Sequence, residues 1–296
     1  MVATAEKIKA KPFLKWAGGK GQLLDEIDKR LPKEDFISGR IDTYIEPFVG
    51  GGAVFFHVVQ QYPQIKNFYL FDINKDLVNC YNAVKNNASS LIKHLNEIHN
   101  NYLNKTESQR KDYYYRLRDE FNNGRDSANL IFLNKTCYNG LYRVNQIGQF
   151  NVPFGGYDNP TICDKKNLLA VSQVLKNVDI IYGDFVDSEQ YVDENTFVYL
   201  DPPYRPLTRT ASFTSYSKED FNEESQIRLT RYCRRINEKG AKFFLSNSDP
   251  KNEHSTDNFF EEHYKNFRIE RVKAIRAINC VASGRGKINE LVIMNY

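Results

Sequence analysis

FVYLDPPY, residues 197–204, runs four apolar and aromatic residues into a carboxylate, two prolines and a tyrosine. A continuous apolar run bounded by turn residues reads as a strand buried on both faces, the kind a parallel sheet requires. Pro202 and Pro203 carry no backbone N–H and cannot continue a central strand, so the strand ends at Asp201. In parallel α/β sheets the carboxyl ends of strands are where ligands bind, which makes Asp201 a candidate functional group.

Similar runs lie on either side: TYIEPF (43–48), FYLFDI (68–73), VDIIYGDF (178–185) and AKFFLSNS (241–248). Helical patterns separate most of them, at LLDEIDKRL (23–31), AVFFHVVQQY (53–62), DLVNCYNAVKNN (76–87) and SQIRLTRYCRRINEKG (225–240), the last with a glycine stop. This alternation predicts an α/β fold with a mostly parallel sheet covered on both faces. The ending breaks the rule. FRIERVKAIRAI (267–278) and ELVIMNY (290–296), joined through SGRGK (283–287), predict a terminal antiparallel hairpin. Residues 88–164 interrupt the alternation with polar helical segments and then CYNGLYRVNQIGQFNVPFGGY (137–157), rich in Asn, Gly and Tyr. They read as an inserted, mainly helical lobe within a catalytic domain formed by residues 1–87 and 165–296, and their hydrogen-bonding side chains suit a polar partner.

The bulk numbers are permissive. A chain of 296 residues with 41% hydrophobic content can bury a real core, and a net charge of +4 allows a polyanionic partner without requiring one. Five scattered cysteines with no CxxC pair argue against a disulfide framework or a zinc site, and the five histidines form no metal-like cluster. No metal is expected. Without a signal-like N-terminus or a membrane-length apolar run, the expectation is a soluble cytoplasmic protein with no membrane contact.

Three stretches carry chemistry. In YIEPFVGGGAVFF (44–56) a strand, a glycine turn and a helix follow one another, and Asp72 closes the next strand roughly 20 residues on, the spacing at which an acid takes ribose hydroxyls. The turn lacks the GxGxxG and phosphate-loop patterns. With Asp72 at that distance, an adenosine-containing ligand is favoured over a bare tight turn. FLKWAGGKGQLL (13–24) holds the only tryptophan, Trp16, and by itself reads as a buried aromatic beside a helix start. In DPPY, the Asp201 carboxylate and a proline carbonyl make two acceptors beside the flat Tyr204 ring. That arrangement fits a planar group bearing an NH₂. Gripping both hydrogens favours a pyramidal nitrogen and stabilises the positive charge that develops on attack.

Taken in order, KPFLKWAGGK, YIEPFVGGGAVFF, NGLYRVNQIGQFNVPFG, GDF and DPPY resemble the DNA adenine methyltransferases of the GATC-methylating type, over nearly the whole chain. The resemblance implies a Rossmann-like methyltransferase sheet, S-adenosylmethionine as methyl donor, double-stranded DNA as substrate and extrusion of the target adenine from the stack. It assigns Trp16, Lys20, Phe48, Gly50, Asp72, Asp184 and Phe185 to the cofactor, with Asp201 at the meeting point of cofactor and base. It gives the target amine to Asp201 and the Pro202 carbonyl, and stacking on the flipped base to Tyr204. Lys15, Asn139, Leu141, Arg143, Pro153 and Tyr157 fall at the family's DNA-reading positions. Arg143 is the residue expected to read a guanine, because bidentate arginine–guanine pairing is the commonest specific major-groove contact. Gln146, Ile147 and Gln149 depart from the more charged residues expected there. The basic clusters RLTRYCRR (228–235) and RVKAIR (271–276) support either DNA binding or a solvated face. Direct in-line transfer by a monomer is expected, in DNA methylation or restriction-modification. The same acceptor pair would serve adenine in RNA or the cytosine 4-amino group; the Arg143 lobe and the motif order favour DNA adenine.

Overall fold

A computed structural model describes residues 8–204, 221–275 and 287–296. Its seven strands are β1 (Thr43–Glu46), β2 (Asn67–Asp72), β3 (Val178–Tyr182), β4 (Thr196–Leu200), β5 (Lys242–Ser248), β6 (Arg268–Ile275) and β7 (Lys287–Met294). They form one sheet in the order β3-β2-β1-β4-β5-β7-β6. β1 to β5 run parallel to one another. β7 runs antiparallel to both β5 and β6, with Arg268 opposite Met294 and Lys273 opposite Asn289. The expected parallel sheet and terminal hairpin are both present; residues 276–286 of the hairpin lie outside the described residues.

The helices among the described residues are α1 (Leu24–Asp28), α2 (Lys33–Ser38), α3 (Ala53–Gln61), α4 (Lys75–Leu103), α5 (Glu107–Gly124), α6 (Ser127–Thr136), α7 (Lys165–Leu175), α8 (Glu223–Glu238) and α9 (Phe259–His263). The pattern over 76–87 extends much further than expected, because ASSLIKHLNEIHNNYL keeps an apolar stripe through Leu91, Ile92, Leu95, Ile98 and Tyr102. A kink falls at Asn87, which sits at φ −134° and ψ 32° inside α4.

β4 is the central strand and every one of its residues is buried. Burial on both faces is what made 197–200 read as a continuous apolar run. One hydrophobic core runs from the sheet residues Tyr44 and Phe197 through α3 and α4 to Tyr114, Phe132 and Phe150 of the 88–164 segment. A second, with Val198, Leu245, Tyr232 and Phe260, covers the other face. No helix among the described residues is long and apolar enough to cross a membrane.

Candidate active site

Asp201 leaves β4 into a setting of hydrogen-bond donors. The Lys20 ammonium lies 2.8 Å from its Oδ2, and the Ser246 hydroxyl, on β5, donates to its Oδ1 at 3.1 Å. Lys20 also donates to the Gly18 carbonyl at 2.9 Å and stands 4.8 Å from the centre of the Tyr204 ring. The Tyr204 hydroxyl donates to Glu290 at 3.1 Å, and burial, with the Asp201 and Glu290 carboxylates nearby, keeps that phenol protonated. The carbonyls of the two prolines differ. Gln226 of α8 donates to the Pro203 carbonyl at 3.2 Å, whereas among the described residues no donor pairs with that of Pro202.

The carboxyl ends of the neighbouring strands face the same edge. After β1, Gly50 adopts φ 47°, and a Cβ there would lie 2.8 Å from Trp16 Cδ1, so only glycine fits against that ring. The Gly50 N–H and the Asn74 N–H donate to the two oxygens of Asp72, at 3.1 and 2.8 Å. Loss of solvent nonetheless raises the Asp72 carboxyl to about 6. After β3, Asp184 accepts the Val186 N–H at 3.0 Å and an Arg228 N–H at 2.9 Å. Phe185 stacks on Phe48 with ring centres 5.4 Å apart, and the Arg228 guanidinium lies 5.0 Å over Phe185. In strand order the edge therefore presents Asp184, Asp72, Gly50 and Asp201 in a row.

Glu46, the last residue of β1, escaped the sequence reading. It is 2% exposed, accepts the Tyr44 hydroxyl at 2.6 Å, and burial raises its carboxyl to about 8, with the charges of Asp201 and Asp72 adding to the rise. The available signal was a lone carboxylate inside an otherwise apolar strand. Ser246 and Gln226 were missed too.

The other predicted positions gather around the segment 137–157. Lys15 sits 4.7 Å over the Tyr157 ring, and the Tyr157 hydroxyl accepts the Asn139 N–H at 3.0 Å. Asn139 holds the left-handed φ of 54°. Asn134 stitches this group together, accepting the Lys15 N–H at 2.7 Å and donating to the carbonyls of Lys15 and Gly140 at 2.8 and 3.1 Å. Leu141 packs partly buried against the core, and the carbonyl of exposed Pro153 accepts the Tyr138 N–H at 2.9 Å. Arg143 is exposed and braced at one edge by Asn151, with Nε 2.7 Å from its Oδ1. Beyond it, Asn145 Oδ1 accepts the N–H groups of Ile147 and Gln149 at 3.2 and 2.9 Å, a tight turn with Ile147 exposed at its tip. Tyr142, between Leu141 and Arg143, stacks on Trp16 with ring centres 5.7 Å apart. Its hydroxyl donates to Asp76 at 2.7 Å, and Arg125 reaches the same oxygen at 2.9 Å. Lys15, Asn139 and Tyr157 thus come together, Trp16 stacks on Tyr142 of the same segment, and Lys20 joins Asp201.

Several arginines of the two basic clusters are engaged within the protein, and Arg276 lies outside the described residues. Arg228 pairs with Asp184, Arg235 with Glu189 at 2.8 Å, and Arg271 with Asp249 at 2.8 Å. Among the described residues no group of three or more His, Cys, Asp or Glu is placed to hold a metal ion.

Residues 16–278 match the model of the D12 class N6 adenine-specific DNA methyltransferases. The chain is 50% identical over 297 residues to the Type II methyltransferase M.MjaIII of Methanocaldococcus jannaschii, covering 98% of this chain and 100% of that one. It is 38% identical to the Type II methyltransferase M1.LlaDCHI of Lactococcus lactis subsp. cremoris, over 98% of this chain and 97% of the relative. It is 33% identical to the DNA adenine methylase of Escherichia coli K12, over 97% and 95%. With a parallel sheet, acids at its carboxyl edge and these matches end to end, the chain belongs to the D12 class of N6 adenine-specific DNA methyltransferases.

Proposed function

We propose that the enzyme methylates the adenine of GATC in duplex DNA, using S-adenosylmethionine and drawing the target base out of the stack, as a monomer. The observation that carries this is the pair of acceptors at the end of β4, the Asp201 carboxylate and the Pro202 carbonyl, which takes no donor among the described residues, beside the Tyr204 ring. The GATC assignment draws on the likeness to the DNA adenine methylases.

The residues at the edge suit S-adenosylmethionine. Asp184 and Phe185 at β3 fit an adenine, Asp72 at β2 fits the ribose hydroxyls, and Gly50, cradled against Trp16, leaves room at β1 for the methionine portion. That order along the sheet follows the order of groups along the ligand and ends next to Asp201. When bound, S-adenosylmethionine supplies an electrophilic methyl group. The protein's own part is to hold the flipped base on Tyr204 and to grip the two amine hydrogens with Asp201 and the Pro202 carbonyl. The grip localises the nitrogen lone pair, and the Asp201 charge stabilises the cation that develops on nitrogen before a proton departs. Lys20 and Ser246 fix the carboxylate for that purpose. In the 137–157 segment, Arg143 would read guanine with the guanidinium edge that Asn151 leaves free, and Lys15, Asn139, Leu141, Pro153 and Tyr157 would complete the DNA surface.

The test is transfer of tritium from labelled S-adenosylmethionine to duplexes with and without GATC, followed by a nucleoside digest. Label in N6-methyladenine of the GATC duplex alone is expected. Equal labelling of both duplexes would refute the sequence assignment, and unlabelled DNA would refute the activity.

A further inference from the structure

The backbone of Pro202 and Pro203 has no N–H with which sheet or helix could hold it. Both φ angles are locked by the rings, and ψ of Pro202 is confined because a proline follows it. Within its confined range ψ of Pro202 aims the Pro202 carbonyl, while ψ of Pro203 sets the direction of the Pro203 carbonyl. That carbonyl accepts the side-chain N–H of Gln226 at 3.2 Å, the single hydrogen bond, among the described residues, that ties the two-proline backbone to the rest of the protein. Gln226 lies in the first turn of α8 and is 0% exposed. Its amide is oriented by Asn247, equally buried on β5, whose Nδ2 lies 3.4 Å from Gln226 Oε1, while Asn247 Oδ1 accepts the Ser248 N–H at 2.9 Å.

We infer that Gln226 is a positioning residue for methyl transfer: with φ of Pro203 fixed by its ring, holding the Pro203 carbonyl anchors the far side of the rigid Pro202–Pro203 peptide and so narrows the ψ of Pro202 that turns the Pro202 carbonyl to the target amine. The inference rests on giving the Pro202 carbonyl that role. Gln226 is neutral, and its side chain bonds to the Pro203 carbonyl and to Asn247, so the role assigned to it is one of geometry. A modest displacement of an acceptor in a transfer reaction costs rate, not binding.

Two variants test it. Gln226→Met keeps the length and loses the donor. Its kcat on a GATC duplex should fall about ten- to a hundredfold. Cofactor affinity, read by Trp16 fluorescence, and base extrusion, read with 2-aminopurine at the target position, should stay within about twofold of the parent enzyme. Gln226→Glu can donate to the carbonyl only while its carboxyl is protonated, so its kcat relative to the parent enzyme should fall as pH rises. A Gln226→Met enzyme with parental kcat overturns the inference. So does a kcat loss matched by an equal loss of cofactor affinity, or a Gln226→Glu profile parallel to the parent's. Asp201→Ala serves as the control for the underlying assignment: if it still turns over, the acceptor pair itself is wrong, whatever the Gln226 variants do.

Discussion

The Lys20 ammonium, 4% exposed, lies 2.8 Å from the Asp201 carboxylate across 181 residues of chain. A buried cation thus depends on the same acid that is proposed to hold the target amine. Asp201→Ala should abolish turnover, leave DNA affinity within about threefold in gel-shift assays, and cost about 3 kcal/mol of stability through the buried ammonium left without a counter-charge. Adding Lys20→Met should restore most of the lost melting temperature and none of the turnover. Turnover in either protein would remove Asp201 from the chemistry.

Gly50 combines a left-handed φ of 47° with 2.8 Å between its would-be Cβ and Trp16. Gly50→Ala should therefore lose about 1–3 kcal/mol of stability and weaken cofactor binding. In a Trp16→Ala background the steric part disappears while the φ cost remains, so the second penalty should be clearly smaller. Equal drops in melting temperature in both backgrounds would mean that the ring does not set the constraint.

Glu46 gives the protein a pH signature. Burial opposes the charge and pushes its carboxyl from an ordinary 4.5 up to about 8. Between those values the folded chain keeps a proton that the unfolded chain has released. The associated stability is complete below the lower value and is lost as pH rises through the upper one, at up to about 1.4 kcal/mol per pH unit. Urea unfolding of the parent protein and of Glu46→Gln across that range should show the decline in the parent and a flatter dependence in the variant. Parallel curves would show that Glu46 does not carry the proton.

Arg143→Ala should cost roughly 1–3 kcal/mol of discrimination, a ten- to hundredfold fall in preference for GATC over a duplex altered at the contacted guanine. Affinity for unrelated DNA should hardly move. A uniform loss across sequences, with a shallower salt dependence, would instead make Arg143 a phosphate contact.

Much of this architecture is written locally. The apolar run before Asp201, the glycine turn after β1 and the missing helix between the last two strands each announce themselves within about ten residues. Lys20 on Asp201, Ser246 beneath it and Gln226 on Pro203 do not. They join segments separated by 181, 45 and 23 residues, and short-range periodicity carries no information about such meetings. Glu46 was hidden for another reason: its polarity looks like a strand end, whereas its burial follows from the sheet and helix that close over it. The helix runs on past Asn87 because the apolar stripe resumes beyond it, inside the stretch assigned from sequence to the inserted lobe.

The clasp at Asp76 bears on how such an enzyme could change its taste in DNA. Tyr142, one residue from Arg143, is fastened to the first turn of α4 and stacked on Trp16, and the core beneath it is continuous with the sheet. If this segment reads DNA as proposed, it cannot simply be exchanged for a relative's. A graft of residues 88–164 would have to bring matching partners at Asp76 and Trp16. The economical route to a new specificity is point replacement at the exposed rim near Arg143 and Ile147, where side chains can vary without disturbing the joint.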